Sequence, residues 1–142
     1  MANKVGDIQR PFTKTIDMLR KVGLRPTRQR LALAKLLFEG GNKHVSAETL
    51  HLEAQAKNLQ VSLATVYNSL RQFAAVGLLS EINVDSQRLY FDTNITDHHH
   101  FFHEGSGRLE DIQNDQVVVS SMPSPPEGAV VKRIEVIVRL ED

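Results

Sequence analysis

The sequence predicts an α+β protein, with an N-terminal winged helix-turn-helix domain at residues 1–92 and a small C-terminal α/β dimerisation domain at residues 93–142. Two observations lead to this fold class. Apolar residues recur at helical spacing in four segments before Gly77, and after it they alternate with a period of two. Basic residues are concentrated in the helical half and acidic residues in the other half.

The four predicted helices are delimited by capping residues and glycines. In chain order they lie in the segments FTKTIDMLRKV, TRQRLALAKLLFEG, SAETLHLEAQAKN and SLATVYNSLRQFAAVG. In the first, Phe12, Ile16 and Leu19 share one face. Thr or Ser, which cap helix N-termini, begins each of the other three. Because only a few residues join the last two helices, they form a helix-turn-helix pattern.

The alternating segments predict strands. LLSEINV and QRLYFD flank the turn pair Asp85-Ser86 and predict a β-hairpin, which is a wing when it follows a helix-turn-helix. Further strands are expected in HHHFFHE, GRLEDI and VVKRIEVIVRL. The intervening SSMPSPPEG is too rich in proline for a long helix. We expect the last strand to pair across a two-fold axis, which predicts a homodimer.

Composition excludes several classes of protein. The absence of cysteine rules out disulfides, thiolate metal sites and cysteine nucleophiles. No apolar run approaches the roughly 20 residues that span a membrane, and MANKVGDIQR lacks a signal-peptide core, so we expect a cytoplasmic protein without a membrane partner. The net charge is zero, but the charges are unevenly distributed along the chain. Residues 1–80 carry 12 basic and 5 acidic side chains, and residues 81–142 carry 5 basic and 12 acidic side chains.

The basic half and the fourth helix together predict binding to double-stranded DNA. The expected apolar stripe of this helix is Leu63, Val66, Leu70, Phe73 and Ala74. Its expected DNA-facing residues are Ser62, Thr65, Tyr67, Asn68, Ser69, Arg71 and Gln72. Amide and guanidinium groups read base edges in the major groove. Lys14 and Arg25 are expected to bind phosphates, as are other basic residues of the first two helices. The alternative is an ordinary solvated helix face.

Four of the six histidines lie between His98 and His103, which predicts a cation site. On a strand, His98 and His100 share one face, and residues 97, 99 and 103 share the other. The expected ligands are His98 and His100, completed by His44, Asp92 and Asp111. This donor set suits Fe(II), Mn(II) or Zn(II). Ligands from both halves would fix the orientation of the halves and link the metal to DNA binding.

The second-site candidates for a ligand on the opposite strand face are Asp97, His99 and His103. The alternative for the whole histidine segment is a solvent-exposed polar strand. Two histidines and a carboxylate also hold Fe(II) in oxygen-activating metalloenzymes, but no substrate-orienting cluster or general base accompanies them in this sequence. We therefore expect a protein that is not an enzyme.

The order of motifs resembles the ferric uptake regulator (Fur) family. The motifs are GLRPTRQR, HVSAE, SLATVYNSLRQFAAVGL, and YFD before HHH, across residues 20–112. The resemblance implies dimeric, metal-responsive transcription regulators. It assigns the regulatory metal to the five ligands given above and DNA reading to residues 62–76. The family's C-x-x-C zinc motif is replaced by His103 and Ser106, so no cysteine-ligated structural zinc is expected. Asn68 replaces the usual Arg and implies an altered operator.

HHHFFHEGSGRLEDI, without cysteine, is similar to the iron response regulator (Irr) branch of that family. This resemblance implies haem binding that involves His98, His99 and His100, and regulation of iron- and haem-homeostasis genes at an A/T-rich operator. The N-terminal Cys-Pro haem motif of some branch members is absent here. An alternative within the family is a peroxide-sensing repressor, in which Fe(II) promotes oxidation of His44 or His98.

Overall fold

The computed structural model describes residues 13–142, which divide along the chain into two units. The first unit ends at Ile95, and the second comprises Thr96–Asp142. The first unit follows the predicted order of helices and wing. Its elements are α1 (Thr13–Lys21), α2 (Arg28–Phe38), β1 (His44–Val45), α3 (Ala47–Ala56), α4 (Leu63–Ala75), β2 (Ser80–Asn83) and β3 (Leu89–Asp92).

Local hydrogen bonds set the helix ends where the sequence predicts them. The hydroxyls of Thr27, Ser46 and Ser62 each accept a bond from the backbone N–H three residues on, which satisfies a donor that the helix leaves unpaired. After α4, Gly77 adopts φ +84° and the Leu78 N–H donates to the Phe73 carbonyl. Glycine reaches this left-handed conformation without steric cost, so the helix ends there. No helix within residues 13–142 is long and apolar enough to cross a membrane.

The wing is a hairpin closed by one aspartate. Strands β2 and β3 pair antiparallel, with Ser80 opposite Asp92 and Asn83 opposite Leu89. In the connecting turn, Asp85 Oδ1 accepts bonds from the backbone N–H groups of Gln87 and Arg88, at 2.9 Å each. The two-residue strand β1 adds to the other edge of β3, so the sheet order is β1-β3-β2.

The core of the first unit joins all four helices to the sheet. Its fully buried members include Leu19, Leu33, Leu37, Leu50, Val66, Leu70, Phe73 and Phe91. Two expectations for α4 are wrong. Leu63 is 41% exposed, because it is the first helical residue and precedes the packed turns. Ser69 is buried, because residues 66, 69, 70 and 73 follow the i, i+3, i+4, i+7 spacing of one helix face. Phe12 lies outside the described residues.

The second unit is a three-stranded sheet with β4 in the centre. Its elements are β4 (His98–His103), β5 (Leu109–Gln113), a 3-10 turn (Asn114–Gln116) and β6 (Ile137–Leu140). β4 is antiparallel to β5 and parallel to β6. The predicted extent of the last strand is wrong, since only four of the eleven residues of VVKRIEVIVRL form it. With His100 opposite Ile137, residues before Glu135 have no partner on β4.

Two leucines of α3 provide a test of this packing. Leu50 is fully buried and Leu52, two residues later, is 64% exposed. We expect Leu50→Ala to lower the free energy of unfolding by about 2–5 kcal/mol, because it leaves a cavity in the core. Leu52→Ala, the matched control, is expected to change it by less than about 0.5 kcal/mol. Urea denaturation followed by circular dichroism measures both. Equal losses would contradict the placement of α3.

Candidate metal centre

His44 and Asp92 form the first group of candidate ligands, called here the wing pair. They are direct cross-strand partners, His44 at the start of β1 and Asp92 at the end of β3. His44 Nε2 lies 3.2 Å from Asp92 Oδ2, and Oδ1 accepts the Asn94 N–H at 2.8 Å. The Asp92 side chain is completely buried. Burial of a carboxyl group is costly unless the group has polar partners. The wing pair is therefore an organised polar site and not an incidental contact.

The residues that flank the wing pair fix its position. Thr93 Oγ1 accepts the Lys43 N–H at 2.8 Å, and the Thr93 N–H donates to the Lys43 carbonyl at 3.0 Å. The Lys43 ammonium in turn donates to the Leu36 carbonyl of α2 and to Glu53 of α3. A strand of only two residues is thereby held to two helices as well as to β3.

His98, His100 and Asp111 form the second group, called the β4 triad. His100 and Asp111 are cross-strand partners, and His98 lies two residues from His100 on the same strand face. The Nε2 atoms of His98 and His100 lie 3.3 and 3.4 Å from Asp111 Oδ1. The ring centroids of the two histidines are 4.5 Å apart. Strand alternation thus presents two imidazoles to one carboxylate, as predicted for this strand.

The backbone sets the tautomer of His98. Its Nδ1 lies 2.6 Å from the Thr96 carbonyl oxygen. A carbonyl only accepts hydrogen bonds, so Nδ1 carries a proton, and Nε2 is the ring nitrogen that faces Asp111 and is placed to bind a cation. A backbone carbonyl behind a metal-binding histidine is a common arrangement that orients the ring. His98 is therefore arranged as a metal ligand.

The donor atoms of both groups fit a divalent transition metal. Ligand atoms about 2.0–2.2 Å from one tetrahedral ion are about 3.3–3.6 Å apart, close to the separations within each group. Imidazole nitrogen and carboxylate oxygen without sulfur suit Fe(II), Mn(II) or Zn(II). Either group alone offers fewer than four protein ligands, counting one atom per residue.

The second-site candidates are not brought together. His99 lies on the opposite face of β4 from His98 and His100, is buried, and accepts the Val136 N–H at Nδ1 at 3.0 Å. His103 is engaged by two carboxylates, and Asp97 is exposed at the start of the second unit. Within residues 13–142 these three do not form a cluster of metal ligands. The three haem candidates, residues 98–100, likewise do not share one face of the strand.

His103 bridges β5 and the residues after β6, a contact that sequence reasoning missed. Its Nε2 lies 2.5 Å from Glu110 Oε2, and its Nδ1 lies 2.7 Å from Asp142 Oδ2. Hydrogen bonds to these carboxylates raise the pKa of His103, first from Glu110 and then from Asp142. Hydrogen bonding to His103 lowers the pKa values of both carboxyl groups. Glu110 is opposite Phe101, two residues from the position on the adjacent strand that faces His103, but no local signal identifies Asp142.

The predicted DNA-reading face of α4 is largely exposed. Tyr67 and Asn68 are open to solvent, and Thr65 is partly so. The Ser62 hydroxyl is used as the helix cap and also donates to Thr65 Oγ1 at 2.9 Å. Lys14 and Arg25 are exposed, as expected of phosphate-binding residues. Arg25, Arg30, Asn68 and Gln72 line an open cleft of about 400 Å³ beside the start of α2.

Comparison with known proteins shows the family of this chain. The profile described as the ferric uptake regulator family matches residues 21–137. The chain belongs to the ferric uptake regulator family. A peroxide-responsive repressor, PerR, of Staphylococcus epidermidis is 30% identical over 117 residues, which cover 82% of this chain and 77% of that protein. The PerR of Staphylococcus aureus strain Mu50 is 29% identical over the same length.

Solved structures of Fur proteins have the same fold. The Vibrio cholerae ferric uptake regulator aligns with a TM-score of 0.72 at 19% identity, over 90% of this chain and 99% of that one. The manganese-containing Pseudomonas aeruginosa regulator aligns with a TM-score of 0.67 at 24% identity, over 89% and 96%. These similarities confirm the predicted α+β fold class. Because this Fur-family chain has no cysteine, it cannot bind a structural zinc ion through thiolates.

The bridge at His103 predicts a pH dependence of stability. A raised pKa means that stabilisation by His103 is complete below its ordinary value of 6.5 and is lost as pH rises through the raised value. The lowered pKa values of Glu110 and Asp142 give stabilisation that is complete above their ordinary values of 4.5 and 3.8 and is lost in acid. The contribution is therefore greatest between about pH 4.5 and pH 6.5.

We expect His103→Gln to lower the melting temperature at pH 6, and to lower it less at pH 9, because stabilisation that depends on the raised pKa of His103 is lost as pH rises. Differential scanning calorimetry at the two pH values provides the measurement. His51→Gln is the matched control, because His51 bonds the Val61 carbonyl and contacts no carboxylate among the described interactions. An equal loss at both pH values for His103→Gln would contradict the charged bridge.

Proposed function

We propose that this Fur-family chain is a dimeric transcription regulator whose binding to double-stranded DNA depends on one divalent cation, Fe(II) or Mn(II). The proposed ligands are His44, Asp92, His98, His100 and Asp111. The observation that carries the proposal is the arrangement of the two ligand groups. Within each group the ligand atoms are separated by distances that suit one metal ion, but each group alone has too few ligands. Only five residues, 93–97, separate Asp92 from His98 in the chain.

The proposed mechanism uses the short connection between the two ligand groups. Asp92 ends a strand of the wing, and His98 begins the central strand of the second unit. If both groups share one cation, residues 93–97 are restrained at both ends. The DNA-reading helix of each subunit in a dimer is then held at one spacing, which favours DNA with matching half-sites. The bound cation supplies positive charge that offsets the carboxylates of Asp92 and Asp111.

The first experiment asks whether the two groups bind one cation or two. Mn(II) binding is measured by electron paramagnetic resonance for the wild type, Asp92→Ala and His100→Ala. We expect one tight Mn(II) per chain, and a loss of affinity of at least about tenfold in each variant, because each removes a direct ligand. Asp115→Ala, an exposed carboxylate outside both groups, is the matched control. Full binding in either ligand variant would overturn the shared site.

The same variants test regulation. A 30-base-pair duplex is selected with the Mn(II)-loaded protein from a randomised library, and we expect an A/T-rich sequence. Fluorescence anisotropy should show that Mn(II) strengthens binding by the wild type and by Asp115→Ala, but not by Asp92→Ala or His100→Ala. Metal-independent binding by the wild type would refute the regulatory role while leaving DNA binding intact.

Haem is proposed as a further effector, as the similarity of HHHFFHEGSGRLEDI to the Irr branch suggests. His98 and His100 share a strand face, whereas His99 lies on the other face and its Nδ1 accepts a backbone bond. We therefore assign haem ligation to His98 or His100 rather than to His99. Titration with hemin should shift the Soret band in the wild type and in His99→Ala, but not in the His98→Ala/His100→Ala double variant.

Peroxide sensing is the second candidate, and the 30% identity to the PerR of Staphylococcus epidermidis favours it. His44 and His98 each lie beside a candidate metal-binding carboxylate. Peroxide treatment of the Fe(II)-loaded protein is then expected to add one oxygen atom to His44 or His98. Peptide mass spectrometry measures this gain in mass, with the Mn(II)-loaded protein as control. Unmodified histidines after Fe(II) and peroxide would exclude this candidate.

A further inference from the structure

We infer that Glu81 is a specificity-determining residue of the DNA interface, because it holds the guanidinium of Arg71 beside Tyr67. Arg71 and Tyr67 lie on α4, and Glu81 lies on β2, the first strand of the wing. The inference rests on the proposed DNA binding and deepens it. It concerns how this surface distinguishes a preferred sequence from any other duplex.

Three contacts restrain the Arg71 side chain. Its Nε lies 3.3 Å from Glu81 Oε1, and its NH1 donates to the Tyr67 hydroxyl at 3.4 Å. Its guanidinium carbon lies 5.9 Å from the centroid of the Tyr67 ring, within the range of a cation–π contact. About half of the Arg71 side chain remains exposed. The group is thus oriented but still accessible to a ligand.

Acidic and basic side chains both line the cleft that contains Arg71. It has a volume of about 350 Å³ and lies between α4 and the wing, with Tyr67, Arg71, Glu48, Asp85 and Arg88 among its lining residues. Arg88 also has a carboxylate partner, since both its Nε and NH2 donate to Asp85 Oδ2. Each arginine of this cleft is therefore engaged by an acid of the wing.

This arrangement affects specific and non-specific binding differently. An unrestrained arginine pairs with any phosphate and adds affinity that is independent of sequence. A restrained, planar guanidinium instead offers its donors in one geometry, as base-edge recognition requires. The Glu81 carboxylate also repels a phosphate that approaches Arg71. Glu81 therefore lowers affinity for arbitrary DNA and supports affinity for the preferred sequence.

The rival explanation is structural, because the Arg71–Glu81 pair also ties the wing to α4. An exposed ion pair contributes little to stability. A purely structural role would change the melting temperature and would affect all duplexes to the same extent. The ratio of the two affinities is the measurement that separates the explanations.

The test uses the full chain with Mn(II), a 30-base-pair duplex selected from a randomised library, and a shuffled duplex of equal length. We expect Glu81→Gln to strengthen binding to the shuffled duplex, weaken binding to the selected one, and reduce the affinity ratio at least about fivefold, the value of one base contact. Glu48→Gln is the matched control, since it also removes one negative charge and Glu48 lines the cleft that contains Arg71. It should strengthen binding to both duplexes equally.

Arg71→Lys is the second variant, because it keeps the positive charge and leaves Glu81 in place. It should also reduce the ratio, and Glu81→Gln should have no further effect on the ratio in its presence. If the wild type prefers the selected duplex but neither Glu81→Gln nor Arg71→Lys changes the affinity ratio, the role of Glu81 is overturned and the proposed function is not. Failure of the wild type to bind any duplex would overturn the proposed function. A ratio reduced equally by Glu48→Gln would show a general charge effect and overturn the role of Glu81.

Discussion

The burial of one carboxylate, Asp92, is the constraint on which the first unit depends. Asp92 ends the wing, and its side chain is completely buried. Burial of a carboxyl group is costly unless its oxygens have polar partners, and here the Asn94 N–H donates to Oδ1 and the His44 imidazole lies beside Oδ2. The two-residue strand β1 pairs with β3 in the register that sets His44 opposite this carboxylate.

The same constraint relates the wing to the helices. Lys43, next to His44, donates to a carbonyl of α2 and pairs with Glu53 of α3. Phe91, next to Asp92, is part of the core that α4 also enters. A change at the wing pair therefore acts on residues that pack against α4, the helix proposed to read DNA. The physical basis is contiguous packing and hydrogen bonding within one unit.

The β4 triad and the His103 bridge show two uses of histidine on one strand. His98 and His100 face a single carboxylate, with spacing suited to a cation. His103 lies between two carboxylates, and their hydrogen bonds raise its pKa, so a proton supplies the positive charge there. In a chain without cysteine, imidazole thus serves both as candidate metal ligand and as a charged cross-link between strands.

The sequence by itself determined the helices, the wing and the pairing of faces on β4, because caps, glycines and periodicity are local signals. It also identified Asp92 and Asp111 as candidate partners of His44, His98 and His100, since Asp92 ends a predicted strand and Asp111 lies in one. Only the folded structure shows that Glu81 holds Arg71 and that Asp142 reaches His103. These depend on strand register and on contacts between residues distant in the chain, which no local pattern records.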